Sequence, residues 1–114
     1  ADMRLLVEWY IRQKKIVHPF ALALFFHHKF EHIHPFSDGN GRTGRIIMNL
    51  LLQKEGYPPI IILATERKRY LSVMNQADKA IKKDILSMDM QHYNSLFFFC
   101  LEQYKKSYWN TFLF

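Results

Sequence analysis

Helical periodicity punctuated by a few glycines and prolines is what most limits the folds open to this chain. Met3, Leu6, Val7, Tyr10 and Ile11 recur at the i, i+3, i+4, i+7, i+8 spacing of one helical face before Arg12-Gln13-Lys14-Lys15 turns polar. Pro19 suits the first position of a second helix, with Ala23, Phe26, His27 and Phe30 along one face, running to about Ile33. A third is expected from residue 42 to about residue 55, apolar at Ile46, Ile47, Leu50 and Leu51, with Gly56 as its C-terminal stop. The stretch "YPPIIIL" at 57–63 is too short and proline-bound to be helical, and reads as an extended, buried connector or a lone edge segment. Thr65 is placed to cap a fourth helix carrying Tyr70, Val73, Met74, Ala77 and Ile81. Asp89 is placed to start a last one carrying Tyr93, Phe97, Cys100, Leu101 and Tyr104. Few strand signals remain, so the expected fold class is all-α.

One domain is expected, since 114 residues fall within a single domain's usual length and no Ser/Gly linker, repeat or low-complexity tract divides the chain. At 49% apolar, with ten Phe, six Tyr and two Trp, it has enough hydrophobic side chain for a core, which argues against disorder. The net charge of +6 invites a nucleic-acid reading. Its basic residues are scattered, however, through Lys14-Lys15, Arg67-Lys68-Arg69, Lys82-Lys83 and Lys105-Lys106, as on solvated helix faces, and no nucleic-acid partner is expected. A single cysteine, Cys100, has no partner for an internal disulfide, which suits a reducing compartment and an expected cytoplasmic location. No stretch approaches the ~20 apolar residues of a membrane span, so no membrane is expected within this chain. The apolar ending "SYWNTFLF" is expected to dock onto other chain or a partner.

The glycines concentrate in "HPFSDGNGRTGR", residues 34–45. Literally, Gly39-Asn40-Gly41-Arg42-Thr43-Gly44 satisfies G-x-G-x-x-G, but a dinucleotide fingerprint needs a buried strand just before it. What precedes is helix-like "FFHHKFEHIHPFSD", with His28, Lys29, Glu31 and His32 as polar and charged members. A P-loop fails because Arg45-Ile46 stands where Lys and a hydroxyl are required. A calcium loop fails because Arg42 takes a ligand position and Asn49 replaces the bidentate Glu. His27, His28, His32 and His34 cluster, and His28 and His32 sit one turn apart. With no cysteine and only Glu31 as carboxylate in the stretch, ordinary core or surface histidines are favoured over a zinc site.

Binding phosphate is within the loop's reach. Successive backbone N–H groups at Gly39, Asn40 and Gly41 are expected to form a nest before a helix whose dipole adds positive potential. Arg42 and Arg45 project from that helix's first turn, where the dipole opposes them, so an anion is the natural reason for keeping them there. Asp38 beside bound phosphates calls for an intervening divalent cation, and Mg²⁺ prefers one or two carboxylates plus phosphate oxygens. His34, outside the nest, is of a type that takes a proton from a hydroxyl at neutral pH.

This phrase resembles the signature of the Fic family, H-x-F-x-[DE]-G-N-G-R-x-x-R. His34, Phe36, Asp38, Gly39, Asn40, Gly41, Arg42 and Arg45 fill every specified position. Flanking "MRLLVEWY", "HPFALALFFHHKFEHI", "IIMNLLLQKEGYPPIII" and "ERKRYLSVM" extend the likeness over about residues 3 to 86, leaving 87–114 as a C-terminal helix of the same single domain. The resemblance implies a compact Fic-type helical bundle with a central helix following the phosphate-binding loop. It implies transfer of AMP from ATP to a Ser, Thr or Tyr hydroxyl of a target protein. His34 would be the base and Asp38 the Mg²⁺ ligand. Gly39, Asn40 and Gly41 would form the anion hole, Arg42 and Arg45 would serve the β- and γ-phosphates, and Phe36 would point the other way as a hydrophobic anchor for the loop. Tyr70 falls where relatives place an aromatic near the adenine, although an aromatic at helical spacing is more often core.

Two family features are missing. The β-hairpin flap that aligns the target would lie upstream of residue 1, and the inhibitory motif [ST]-x-x-x-E-[GN] is absent after Ser87 and Ser95. The expectation is a fragment of a longer chain, regulated by a missing inhibitory helix or a separate inhibitory partner. Alternatives are a family variant that moves another phosphorylated group or removes AMP, and a non-catalytic basic helical binding module.

Overall fold

The computed structural model describes residues 2–112, with side chains through residue 108. Five helices follow one another: α1 (Asp2–Gln13), α2 (Pro19–Ile33), α3 (Asn40–Lys54), α4 (Arg67–Asp78) and α5 (Met90–Phe112). Short 3-10 turns occupy Ala64–Glu66 and Lys79–Ile81, and no strand occurs among the described residues. No helix there is long and apolar enough to cross a membrane.

α2 starts where Pro19 fixes it, and the ring nitrogen Nδ1 of His18 accepts the Phe20 N–H at 3.1 Å, satisfying one of the donors a helix start leaves over. Ten of its fifteen residues are buried, because α1, α3, α4 and α5 all pack on it. Large apolar side chains such as Leu24, Phe25 and Phe30 contribute on the order of 1.5–3 kcal/mol each when fully buried. The all-α bundle is as expected, but its most enclosed helix leads into the glycine loop; α3, which follows the loop, packs on α2 alone.

Burial on all sides reaches Lys29, one of the residues whose polarity argued against a buried strand before the glycines. Its Nζ donates to the Tyr93 hydroxyl at 2.9 Å and to the Ser87 carbonyl, and lies over the rings of Trp9, Phe25 and Tyr93 at 5.3, 5.5 and 4.9 Å. Desolvation pushes the ammonium down to about 7.

A helix with one neighbour buries only a narrow stripe, and this narrows the expected faces. In α1, Leu6 and the unforeseen Trp9 face the core while Val7 and Ile11 stay exposed. In α3, Gly44, Met48 and Leu52 meet α2, Ile47 and Leu51 flank them, and Ile46 and Leu50 face outward. Gly56 ends α3 as expected, with φ +85 and the Tyr57 N–H folded back to the Leu52 carbonyl at 2.9 Å.

The 57–63 connector is irregular, with Ile60 buried. Asn49 supplies what a neighbouring strand would: its amide accepts the Ile60 N–H at 2.8 Å and donates to the Ile60 carbonyl at 3.2 Å. Tyr104 and Tyr108 donate to the carbonyls of Pro58 and Pro59. Tyr108 belongs to the apolar ending expected to dock, and residues 113–114 lie outside the described residues.

Thr65 is not the cap of α4: it sits inside the 3-10 turn, and Glu66 occupies the N-cap position without a side-chain cap bond. The Glu66 carboxylate goes instead to Arg69 and Lys106, at 3.2 and 2.6 Å. Asp89 does start α5, accepting the Gln91 N–H at 3.0 Å. Tyr93, Leu96, Phe99, Cys100 and Gln103 form its buried stripe, and Leu101, expected inward, is exposed. Burial raises the Cys100 thiol to about 12.

Candidate functional site

Both edges of the glycine loop are set by backbone conformation. His34 closes α2 in the left-handed region, φ 56, with its N–H bonded to the Phe30 carbonyl at 3.1 Å. The imidazole is thereby thrown clear of the helix and exposed. Gly39 opens α3 in the same region, φ 74.

Asn40 is the residue that holds the loop's shape. Buried among exposed neighbours, its amide accepts the Phe36 N–H at 2.9 Å and donates to the Phe36 carbonyl at 2.6 Å. That pairing starts α3 at Asn40, two residues earlier than expected, and turns the Asn40 side chain inward. Phe36 is not the hydrophobic anchor expected of it, because the loop is held through its backbone N–H and carbonyl and not through its ring. Its ring is 6.3 Å from that of Phe30 and remains half exposed.

The anion nest shifts accordingly. The Gly39 N–H, expected to face phosphate, donates to Asp38 Oδ1 at 2.7 Å. The first bond of the α3 ladder is Thr43 N–H to the Gly39 carbonyl, and no side chain caps the start. The donors that helix geometry leaves over in the first turn are those of Asn40, Gly41 and Arg42, at the positive end of the dipole.

Asp38 is exposed at the lip of this turn, with Oδ1 committed to Gly39. A single hard carboxylate beside an uncapped helix start is of the kind Mg²⁺ accepts, its remaining ligands coming from anions and water. The two arginines diverge: Arg42 is exposed, whereas Arg45 leans back, half-buried, into an open cavity of about 160 Å³ with Ile62, Leu63, Ala64, Arg67 and Tyr70.

Tyr70 is a core residue that also lines the Arg45 cavity. The ring is buried and lines that cavity, while its hydroxyl donates to Glu31 Oε2 at 2.6 Å and lies 2.6 Å from His27 Nε2. Burial and the Glu31 charge raise the phenol well above its ordinary range. Glu31, set aside at the sequence level as one carboxylate too few for zinc, is the residue that reading missed. Burial raises its carboxyl, against the opposing pull of Tyr70, Arg45 and His34. Its position three residues before His34 on α2 was the available signal. With His28, His32, His34, Leu71, Met74, Asn75 and Asp78 it lines a second cleft of about 450 Å³ on the His34 side.

The four histidines do not converge. His28 spends Nδ1 on the Tyr93 hydroxyl and Nε2 on Asp78 Oδ1, at 2.7 and 2.8 Å, and His32 approaches the same Asp78 oxygen at 3.7 Å. Desolvation lowers His27 to about 3 and His28 to about 4, so both are neutral at pH 7. Among the described residues no group of three or more His, Cys, Asp or Glu is placed to hold a metal.

Comparison with known proteins bears on the family and the fold. The model of the Fic/DOC family matches residues 1–52, which include the whole glycine loop. The fold superposes on the crystal structure of a Fic domain containing signaling protein from Bacteroides thetaiotaomicron with a TM-score of 0.79, at 29% identity, covering 90% of this chain and 43% of that one. The family match and the fold likeness together support membership of the Fic/DOC family. Curated relatives carrying the name protein adenylyltransferase Fic include one from Culex quinquefasciatus, 51% identical over 69 residues, and one from Nematostella vectensis, 43% identical over 72 residues. These stretches cover 58% and 62% of this chain but only 14% and 17% of those proteins, so this chain spans a small part of the relatives it matches.

Proposed function

We propose that this chain carries the catalytic core of a protein AMP-transferase, moving AMP from ATP to a Ser, Thr or Tyr hydroxyl of a target protein. The observation that carries the reading is the juxtaposition of an exposed His34, thrown clear of α2, with the uncapped first turn of α3. The name borne by the curated relatives supports the same chemistry.

The N–H groups of Asn40, Gly41 and Arg42 bind the phosphates, and the Arg42 and Arg45 guanidiniums neutralise the β- and γ-phosphates. His34 takes the proton of the acceptor hydroxyl, whose oxygen forms a bond to the α-phosphorus. The bond from that phosphorus to the oxygen bridging to the β-phosphate breaks, and pyrophosphate leaves with its electron pair. Asp38 would hold Mg²⁺, which would supply positive charge to offset that of the phosphates. The buried Asn40 amide keeps the loop from drifting, and positioning of this kind carries much of the catalysis in phosphoryl transfer.

The test is to incubate the chain, and a longer one restoring the upstream segment, with ATP labelled at the α- or γ-phosphate and a mixture of acceptor proteins. Covalent α-label is expected and γ-label is not, and His34→Ala abolishes the signal. Arg45→Ala is expected to weaken ATP use while leaving the helical circular dichroism unchanged. Label arriving from the γ-phosphate means a different group is transferred, and no label from either chain points to a binding module.

A further inference from the structure

Glu31 stands between the two halves of the proposed site, and no role in phosphate binding or proton transfer has yet been given to it. Its Oε2 is tied to Tyr70 on α4, and its Oε1 lies 3.1 Å from the point where a Cβ on Gly41 would stand. Arg45 Nη1 lies 3.2 Å from that same point. A carboxylate from α2 and a guanidinium from α3 therefore face each other across a glycine in the first turn of α3. That turn is where the proposed function seats phosphate, and the inference rests on that reading.

We propose that Glu31 is a positioning residue of this site, facing Arg45 across Gly41 as its counter-charge, so that an anion seated on the first turn of α3 competes with it for Arg45 and leaves the carboxylate protonated.

Proton placement in the network fixes the starting state. The Tyr70 hydroxyl has one hydrogen but two neighbours at 2.6 Å. With that hydrogen given to Glu31 Oε2, His27 Nε2 must carry the hydrogen that reaches the Tyr70 oxygen. His27 Nδ1 is then a bare lone pair, in keeping with its lying buried without a hydrogen-bond partner. Glu31 is thus the charged acceptor at the end of a directional chain from His27 through Tyr70.

The groups facing it are His27 on its own helix, Arg45 on α3, Tyr70 on α4 and His34 in the loop, with His28, His32 and Asp78 further along the cleft. Burial already favours the neutral carboxyl, and Arg45 is one of the three groups that oppose it. A polyphosphate that occupies Arg45 removes part of that opposition and adds negative charge nearby. A proton then enters from solvent at Oε1, while Oε2 keeps the Tyr70 bond.

The experiment measures ATP binding to the full chain by titration calorimetry in two buffers of different ionisation heat, which gives protons taken up per ATP. Between about pH 5 and 7 the wild type is expected to take up more protons than Glu31→Gln, a change that keeps the acceptor for Tyr70 but removes the charge. At low salt Glu31→Gln is expected to bind ATP roughly three- to tenfold more tightly. Glu31→Ala, which also loses the tether, is expected to slow α-label transfer at saturating ATP, with Glu31→Gln restoring most of it. Equal proton uptake in wild type and Glu31→Gln overturns the inference alone. Glu31-linked uptake without label transfer supports the inference and sinks the AMP-transfer reading. Failure of the wild type to bind ATP overturns both.

Discussion

His34 sits at the left-handed position that ends α2, where a side chain meets the carbonyl that follows it and glycine is the residue of least strain. A histidine there costs stability in exchange for an exposed imidazole beside the uncapped start of α3. His34→Gly is therefore expected to unfold at a higher temperature than His34→Ala, by an amount corresponding to about 1 kcal/mol, while both lose label transfer. Scanning calorimetry on the two variants checks the first part and α-labelled ATP the second. Lys29 makes the opposite bargain, with its ammonium buried among three aromatic rings. Its folded pKa of about 7 lies below the unfolded 10.5, so between those values the unfolded chain holds more protons. The stability from this site is complete above the unfolded value and is lost as pH falls through the folded one. Urea unfolding is expected to show the wild type gaining roughly 3 to 5 kcal/mol relative to Lys29→Met between about pH 6 and 10. A flat difference across that range would mean the ammonium is not desolvated. The candidate site residues were legible because a short motif lists them by type, whereas Lys29 and Glu31 were not: burial on every side of α2 is a property of its four neighbours.

At the scale of the helix pair, α2 and α3 approach so closely at Gly44 that a Cβ there would stand 3.1 Å from Glu31 Cγ, 3.2 Å from Phe30 Cδ1 and 3.3 Å from His27 Nδ1. All three neighbours belong to α2, and two of them, His27 and Glu31, are the ends of the chain that runs through Tyr70. Gly44→Val is expected to destabilise the fold by about 1–3 kcal/mol in urea unfolding, because a branched side chain must push α3 away from α2. It is also expected to tighten ATP binding in calorimetry, in the direction of Glu31→Gln, since moving α3 off α2 draws Arg45 away from its competing counter-charge. A variant as stable as wild type would show that the α2–α3 contact yields. Helix boundaries at Pro19, Gly56 and Asp89 were readable because proline, glycine and aspartate act through their own backbone or first-turn chemistry. The start of α3 was displaced because the buried Asn40 pairing with Phe36 fixes it, and the Thr65 cap failed because the chain enters α4 through a 3-10 turn. The exposed Val7, Ile11, Ile46 and Leu50 follow from the same limit: periodicity names a face but not how wide a neighbour will cover it.

For the molecule as a whole, the pattern of packing predicts the order in which it opens. α1 and α3 each pack on α2 alone, whereas α4 and α5 pack extensively on each other and also reach α2. The outer link among Glu66, Arg69, Glu102 and Lys106 is exposed to solvent and screened, so it adds little to that pairing. α1 can detach at the cost of one helix interface, and α3 at the cost of one interface and its Asn49–Ile60 bonds, but α2 cannot be exposed without losing contact with all four other helices. Native-state hydrogen exchange is therefore expected to find the amides of residues 24–30 opening only with global unfolding. Residues 5–9 of α1 and the second half of α3 are expected to exchange earlier, and the 57–63 connector earlier still, apart from Ile60, whose N–H is held by Asn49. ATP is expected to slow exchange at the amides of Asn40, Gly41 and Arg42 ahead of any effect on α5, because those donors have no place in the α3 ladder. Protection of residues 5–9 equal to that of residues 24–30 would show that α1 belongs to the same cooperative unit as α2. Protection by ATP spread evenly over all five helices, with none centred on the α3 start, would mean that nucleotide stabilises the chain from somewhere other than this loop.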